Sequence, residues 1–166
     1  TFGQYVPSWD SAYYPLFMTQ NVKYKAYLES KWRILVIGGL CTSVLSLFYL
    51  LMSTQLLYPI LAAIAYNLGV NTQLALLTGA YIRTPIDLSQ NKNIFGDKKA
   101  FNIQTMLISL PMFLLPILIF ITTSIFSSTK HGFIAVGIAG VVGFTLKNKF
   151  IDRITKLYKK HKYVTL

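Results

Sequence analysis

The sequence predicts an all-α integral membrane protein, with four transmembrane helices plus amphipathic interfacial and cytoplasmic helices. Three observations carry that prediction. Apolar residues make up 54% of the 166-residue chain and charged residues only 13%, about half the charged share of a typical soluble domain. The apolar residues gather into long uncharged runs, and the mean hydropathy is +0.50. The net charge of +11, from 16 Lys and Arg against 5 Asp and Glu, sits beside the ends of those runs. The same composition excludes intrinsic disorder, because disordered chains are polar and charge-rich.

A bilayer core of about 30 Å needs about 20 helical residues to cross it. The first qualifying run, Ile34 to Met52, has no charge. The second, Leu56 to Ala80, is also uncharged but contains Tyr66, Asn67 and Asn71. The third, Met106 to Ile125, carries Pro111 and Pro116; each removes a backbone donor, so the sequence predicts a helix bend there. The fourth, Gly132 to Leu146, is short enough for a re-entrant hairpin. Lys147 and Lys149 can snorkel, however, which lets Phe150 extend it to a crossing over 132–150. The predicted organisation is therefore a cytoplasmic or interfacial segment over 1–33, spans at about 34–52, 56–80, 106–125 and 132–150, and a basic tail over 151–166.

The charges predict an orientation. Lys23, Lys25, Lys31 and Arg33 precede the first span; Arg83, Lys92, Lys98 and Lys99 lie between the second and third; seven more basic residues follow the fourth. With four crossings, 15 of the 16 basic residues fall on one side, leaving Lys130 alone on the other. By the positive-inside rule that side is the cytoplasm, with both ends of the chain inside. This placement explains the +11 without nucleic acid, which is not an expected partner; membrane lipids are. The chain opens at Thr1 with no signal-peptide pattern, and the expectation is a piece of a longer protein.

Outside the spans, Tyr24, Tyr27 and Leu28 fall on one face of a segment from Val22 to Trp32, with Asn21 as a possible N-cap. Two structures suit it: an interfacial helix with that face in the lipid and Trp32 at the boundary, or a longer helix running straight into the first span. Upstream, Phe2, Tyr5, Trp9, Tyr13, Tyr14 and Phe17 suit packing on the membrane surface or on other protein. Between the second and third spans, Thr84 as cap, Pro85 at the first position and Asp87 predict a short helix to Gln90. Phe150, Ile154, Leu157 and Tyr158 recur at helical spacing among Lys and Arg, predicting a basic amphipathic helix.

The candidate site residues follow from cost. Polar side chains in hydrocarbon need partners, so Asn67, Asn71 and Thr78, which share a face of an ideal helix, should point into protein. They line a substrate path or bond a neighbouring helix. Ala65 and Gly69 add a small-residue contact, and Ala135, Ala139 and Gly143 form a packing stripe with Gly137 and Gly140 beside it. Cys41 reads as a small buried hydrophobe. No acidic residue lies within a span, which argues against a proton-coupled carrier. There is no phosphate-binding glycine loop or zinc-ligand spacing, and His131 and His161 are too isolated to build a catalytic site. An enzyme is not expected, nor a cofactor or a metal.

Several stretches carry a resemblance: Gln20-Asn21 with Tyr24 and Tyr27-Leu28-Glu29-Ser30-Lys31-Trp32, then Tyr66-Asn67-Leu68-Gly69, Arg83-Thr84-Pro85-Ile86 and Ala100-Phe101-Asn102. They resemble the final third of a family of multi-span proteins from Bacteroidetes-type bacteria, mainly of unknown function and similar to permease subunits of ABC-2-type exporters. The resemblance implies that further spans belong to the parent chain, which is then itself a partner of this region. It also implies a separate ABC ATPase subunit. The expected function is a permease-like subunit of an ABC-type exporter moving a lipophilic or amphipathic substrate. The alternative is a non-transporting membrane scaffold or assembly protein. The loop residues Arg83, Thr84, Pro85, Asp87 and Ser89 are the expected docking point for the ATPase; the rival reading is that Arg83, Lys98 and Lys99 simply anchor helix ends at the lipid headgroups.

Overall fold

The computed structural model describes residues 23–81 and 103–161, and every regular element among them is helical. Helix α1 runs over Tyr24–Leu47 and tightens into a 3-10 turn at Phe48–Leu51. Ser53 then adopts extended backbone, and its Oγ accepts from the Gln55 amide at 3.3 Å, which starts the turn Thr54–Leu56 and helix α2, Leu57–Tyr66. Pro59 lies in the first turn of α2, where its missing donor costs nothing. A π turn, Asn67–Asn71, links α2 to α3, Thr72–Tyr81. Helices α4, Ile103–Phe126, and α5, Thr129–Thr145, follow, separated by a two-residue turn whose Ser128 caps α5. Helix α6, Lys147–His161, begins immediately after Leu146.

Among the described residues, three continuous helices are long and apolar enough to cross a membrane: Tyr24–Leu51, Thr54–Gly79 and Ser109–Phe126. They coincide with the first three predicted runs. The fourth differs. Helix α5 stops at Thr145, the chain bends by 64°, and Phe150 belongs to α6 rather than to the span. The cause is the composition of α6, whose lysines belong at a water-facing surface while Ile151 and Ile154 supply an apolar face of their own. The segment before the first span takes the second of its two predicted forms, a single helix continuing into the span.

Packing divides the molecule into two regions. Helix α2 packs chiefly on α5, and α4 packs on the same helix; here Ala62, Tyr66 and Val136 are buried, with the Phe120 and Phe133 rings 4.7 Å apart and tilted by 40°. At the other end, Leu28, Trp32, Leu76, Ile151 and Ile154 close into a second cluster that joins α1, α3 and α6. Trp32 and the Tyr24–Leu28 face, which the interfacial alternative placed in lipid, pack against α6, because the bend after Thr145 carries α6 back across the base of α1.

The apolar part of α1 touches the second long helix at Gly39 and Leu68, yet none of its most apolar 18 residues is buried. Cys41, predicted to be buried, is therefore exposed. Apolar side chains that face lipid need no protein cover, so burial within the chain is not required of them. Pro111 and Pro116 both lie inside α4, which runs unbroken from Ile103 to Phe126. The predicted helix at 85–90 and the aromatic segment over 1–22 lie outside the described residues.

Candidate functional site

The π turn at Asn67–Asn71 falls at the middle of the 26-residue helix Thr54–Gly79. A π turn holds one more residue than an α turn, so the faces before and after it no longer share one register. This undoes the single polar face predicted for Asn67, Asn71 and Thr78. Asn67 is exposed, Asn71 half-buried and Thr78 buried. Asn71 Nδ2 donates to Asn67 Oδ1 at 2.9 Å, and the Thr78 hydroxyl donates to the Ala75 carbonyl of its own helix at 3.0 Å. Asn71 Oδ1 is buried with no hydrogen-bond partner among the described residues. An amide pair with a free acceptor thus lies at the centre of a membrane-length helix.

Directly beside it, α2 and α5 meet backbone to backbone. A β-carbon at Gly69 would overlap the Gly140 carbonyl, and one at Gly140 would overlap the carbonyl of Ala65. Gly143 lies against Gly69 and Val70. Of the predicted packing stripe, Gly143 is at this crossing, while Ala135 and Ala139 are only half-buried beside it. The buried edge of α5 is Gly132, Val136, Gly140 and Gly143, so the closest approach falls on Gly140, which sequence placed alongside the stripe. Ala65 and Gly69 were correctly paired as a contact. Close approach of this kind is how apolar helices gain dispersion energy where no hydrophobic drive exists.

One residue of the site was missed from sequence. Gln73 is buried at 3% exposure, and its Nε2 donates to the Gly143 carbonyl at 2.6 Å. Gly143 is among the last four residues of α5, whose carbonyls lack an intrahelical donor. The glutamine therefore caps one helix from another, just before the bend. The available signal was a glutamine inside an uncharged run. Replacing it with leucine keeps the volume but strands the carbonyl, and should cost about 1–2 kcal/mol. Chemical denaturation of the detergent-solubilised protein measures this; an unchanged midpoint would show that the bond contributes nothing.

The ends of the helices carry the charge. At the α6 end, Lys25 Nζ pairs with Asp152 at 2.8 Å, and Lys147 Nζ lies 4.3 Å from the centre of the Trp32 ring. The hydrogen bond and charge of Asp152 raise the pKa of Lys25 above its ordinary value, so the ammonium stays charged at physiological pH. The pair is half-exposed and adds little to stability. At the opposite end, Lys130 lies 6.0 Å from the Tyr58 ring, and Ser128 Oγ is 2.7 Å from His131 Nδ1. Among the described residues no three His, Cys, Asp or Glu side chains form a metal-ligand group. Arg83, Thr84, Pro85, Asp87 and Ser89 lie outside the described residues.

A family model matches residues 1–166, and the chain belongs to that family, a family of unknown function (DUF5687). No curated protein and no solved structure matches the chain.

Proposed function

We propose that this DUF5687 chain is a permease-like subunit of an ABC-type exporter, set in the bacterial inner membrane and working with a separate ATPase. The observation that carries it is the Asn67–Asn71 pair on a π turn at mid-span. A π turn is a local break of helical register that recurs at functional sites. A polar pair at that depth is costly unless it meets a water-lined path, a substrate or more protein. The glycine crossing beside it gives the break a fixed fulcrum in α5.

The charge distribution supports the orientation within this proposal. Lys25 and Lys147 occur at one end of the helices and Lys130 at the other, as cytoplasmic placement of both ends of this region requires. The 82–102 segment then lies on the cytoplasmic side, where an ATPase can reach Asp87 and Ser89. The backbone contact of Gly69 with Gly140 favours a second reading, a non-transporting scaffold, since such a joint resists rearrangement. Affinity purification of the full protein from native membranes separates the two. An ABC-type ATPase recovered in stoichiometric amount, and crosslinked from Asp87→Cys or Ser89→Cys, is expected for the exporter. Repeated recovery without any ATPase would leave the scaffold.

A further inference from the structure

An open apolar groove of about 490 Å³ runs between α2 and α5. Its walls are Tyr58, Leu61 and Ala65 on one side and Phe133, Gly137 and Val141 on the other. We propose that this groove binds one acyl chain of an anionic phospholipid, with the lipid phosphate held at Lys130. Such a site requires only that the helices cross a bilayer, and does not depend on transport or on an ATPase.

Three observations lead to this occupant. The first is length. The α5 wall extends from Phe133 to Val142, a rise of about 14 Å at 1.5 Å per residue, and one leaflet of a bilayer core is about 15 Å deep. The groove is therefore about as long as the tail of one leaflet is deep.

The second is charge. Lys130 lies three and four residues before Phe133 and Ile134, on the face of α5 that lines the groove, and its ammonium lies over the ring of Tyr58 at the groove mouth. The acidic residues among the described ones are Glu29 and Asp152, and Asp152 pairs with Lys25 at the other end. Among the described residues, Lys130 has no acidic partner. It also lies in the first turn of α5, whose dipole adds positive potential there and so attracts an anion rather than a cation.

The third is the floor. A β-carbon at Gly137 would meet only the Ala62 Cα at 3.7 Å, an ordinary contact, whereas Gly69 and Gly140 admit no side chain. At Gly137 the absent side chain leaves open volume that the helix crossing does not use.

The test uses the full protein in phosphatidylcholine vesicles containing a phosphatidylglycerol with a diazirine midway along one acyl chain. After illumination, labelled residues are mapped by mass spectrometry. Labelling is expected to concentrate on Ala62, Ala65, Gly137 and Val141. Gly137→Leu fills the groove without entering the crossing and should remove that labelling. Lys130→Gln, an exposed change that leaves the fold alone, should weaken competition by unlabelled phosphatidylglycerol about fivefold, with competition by phosphatidylcholine unchanged. Even labelling of all lipid-facing residues, or groove labelling that survives Gly137→Leu, would overturn the site. Equal competition by the two lipids in wild type would overturn the role of Lys130. Failure to find an ATPase would affect none of these outcomes.

Discussion

Replacing Gly140 with leucine should separate α2 from α5 and lower stability by about 3 kcal/mol or more, the upper range for overpacking. The size follows from what the new side chain meets. A β-carbon there overlaps the Ala65 carbonyl and comes against the Tyr66 amide, which are backbone atoms inside a helix and cannot swing aside. The helices would have to move apart, which would also break the Gln73 bond to Gly143 and open the cluster around Ala62, Tyr66 and Val136. The control is Gly137→Ala, three residues away, where the added methyl has room and the change should be near neutral. Thermal unfolding in detergent, followed by loss of the monodisperse species, measures both. A Gly140→Leu protein as stable as Gly137→Ala would mean that the two helices do not cross where the structure places them.

The second large effect is expected at the base of the molecule. Ile151 and Ile154 are each 1% exposed and lock α6 against Leu28, Trp32 and Leu76. Truncating one buried isoleucine to alanine typically costs about 2–5 kcal/mol. The double alanine variant should therefore release α6 while the spans stay folded, since this cluster is the apolar contact that holds it and the half-exposed Lys25–Asp152 pair adds little. Trypsin has Lys149, Arg153 and Lys156 within α6 as targets. Cleavage there is expected to accelerate strongly in the double variant, with the α1 to α5 region resistant. If α6 were instead held by lipid alone, as an independent interfacial helix, wild type and variant would be cut at similar rates.

What could be read in the sequence followed from single dominant forces. Ile34 to Met52 and Met106 to Ile125 are uncharged for a full membrane thickness, and the structure has helices there. Ser53 and Ser128 mark the turns because their side chains satisfy backbone donors at helix starts. The departures arise where two tendencies compete. At Leu146, hydrophobicity up to Phe150 favours a straight span, but Ile151 and Ile154 have more to gain by folding back on Leu28. That gain depends on residues more than a hundred positions away, which local pattern cannot show. At Asn67–Asn71 a uniform helical register was the natural expectation, and a π turn leaves no periodic trace. Gly140 outweighed Ala135 and Ala139 for a related reason: sequence identifies small residues, but the crossing angle selects which of them touch. Gln73 was legible in principle, since a buried amide must find a partner, and its partner is a carbonyl that no side-chain pattern reveals.

Accessibility labelling tests most directly whether the helices cross a bilayer four times with the lysine-rich ends together. In a Cys41→Ser background, single cysteines at Ser53, Ser128 and Lys149 are reacted in intact cells with a membrane-impermeant maleimide. Ser53→Cys and Ser128→Cys should be modified from outside, and Lys149→Cys only after the membrane is permeabilised. A protected Ser128→Cys, or a Lys149→Cys labelled in intact cells, would show that α5 does not carry the chain back across and that the four-span arrangement is wrong.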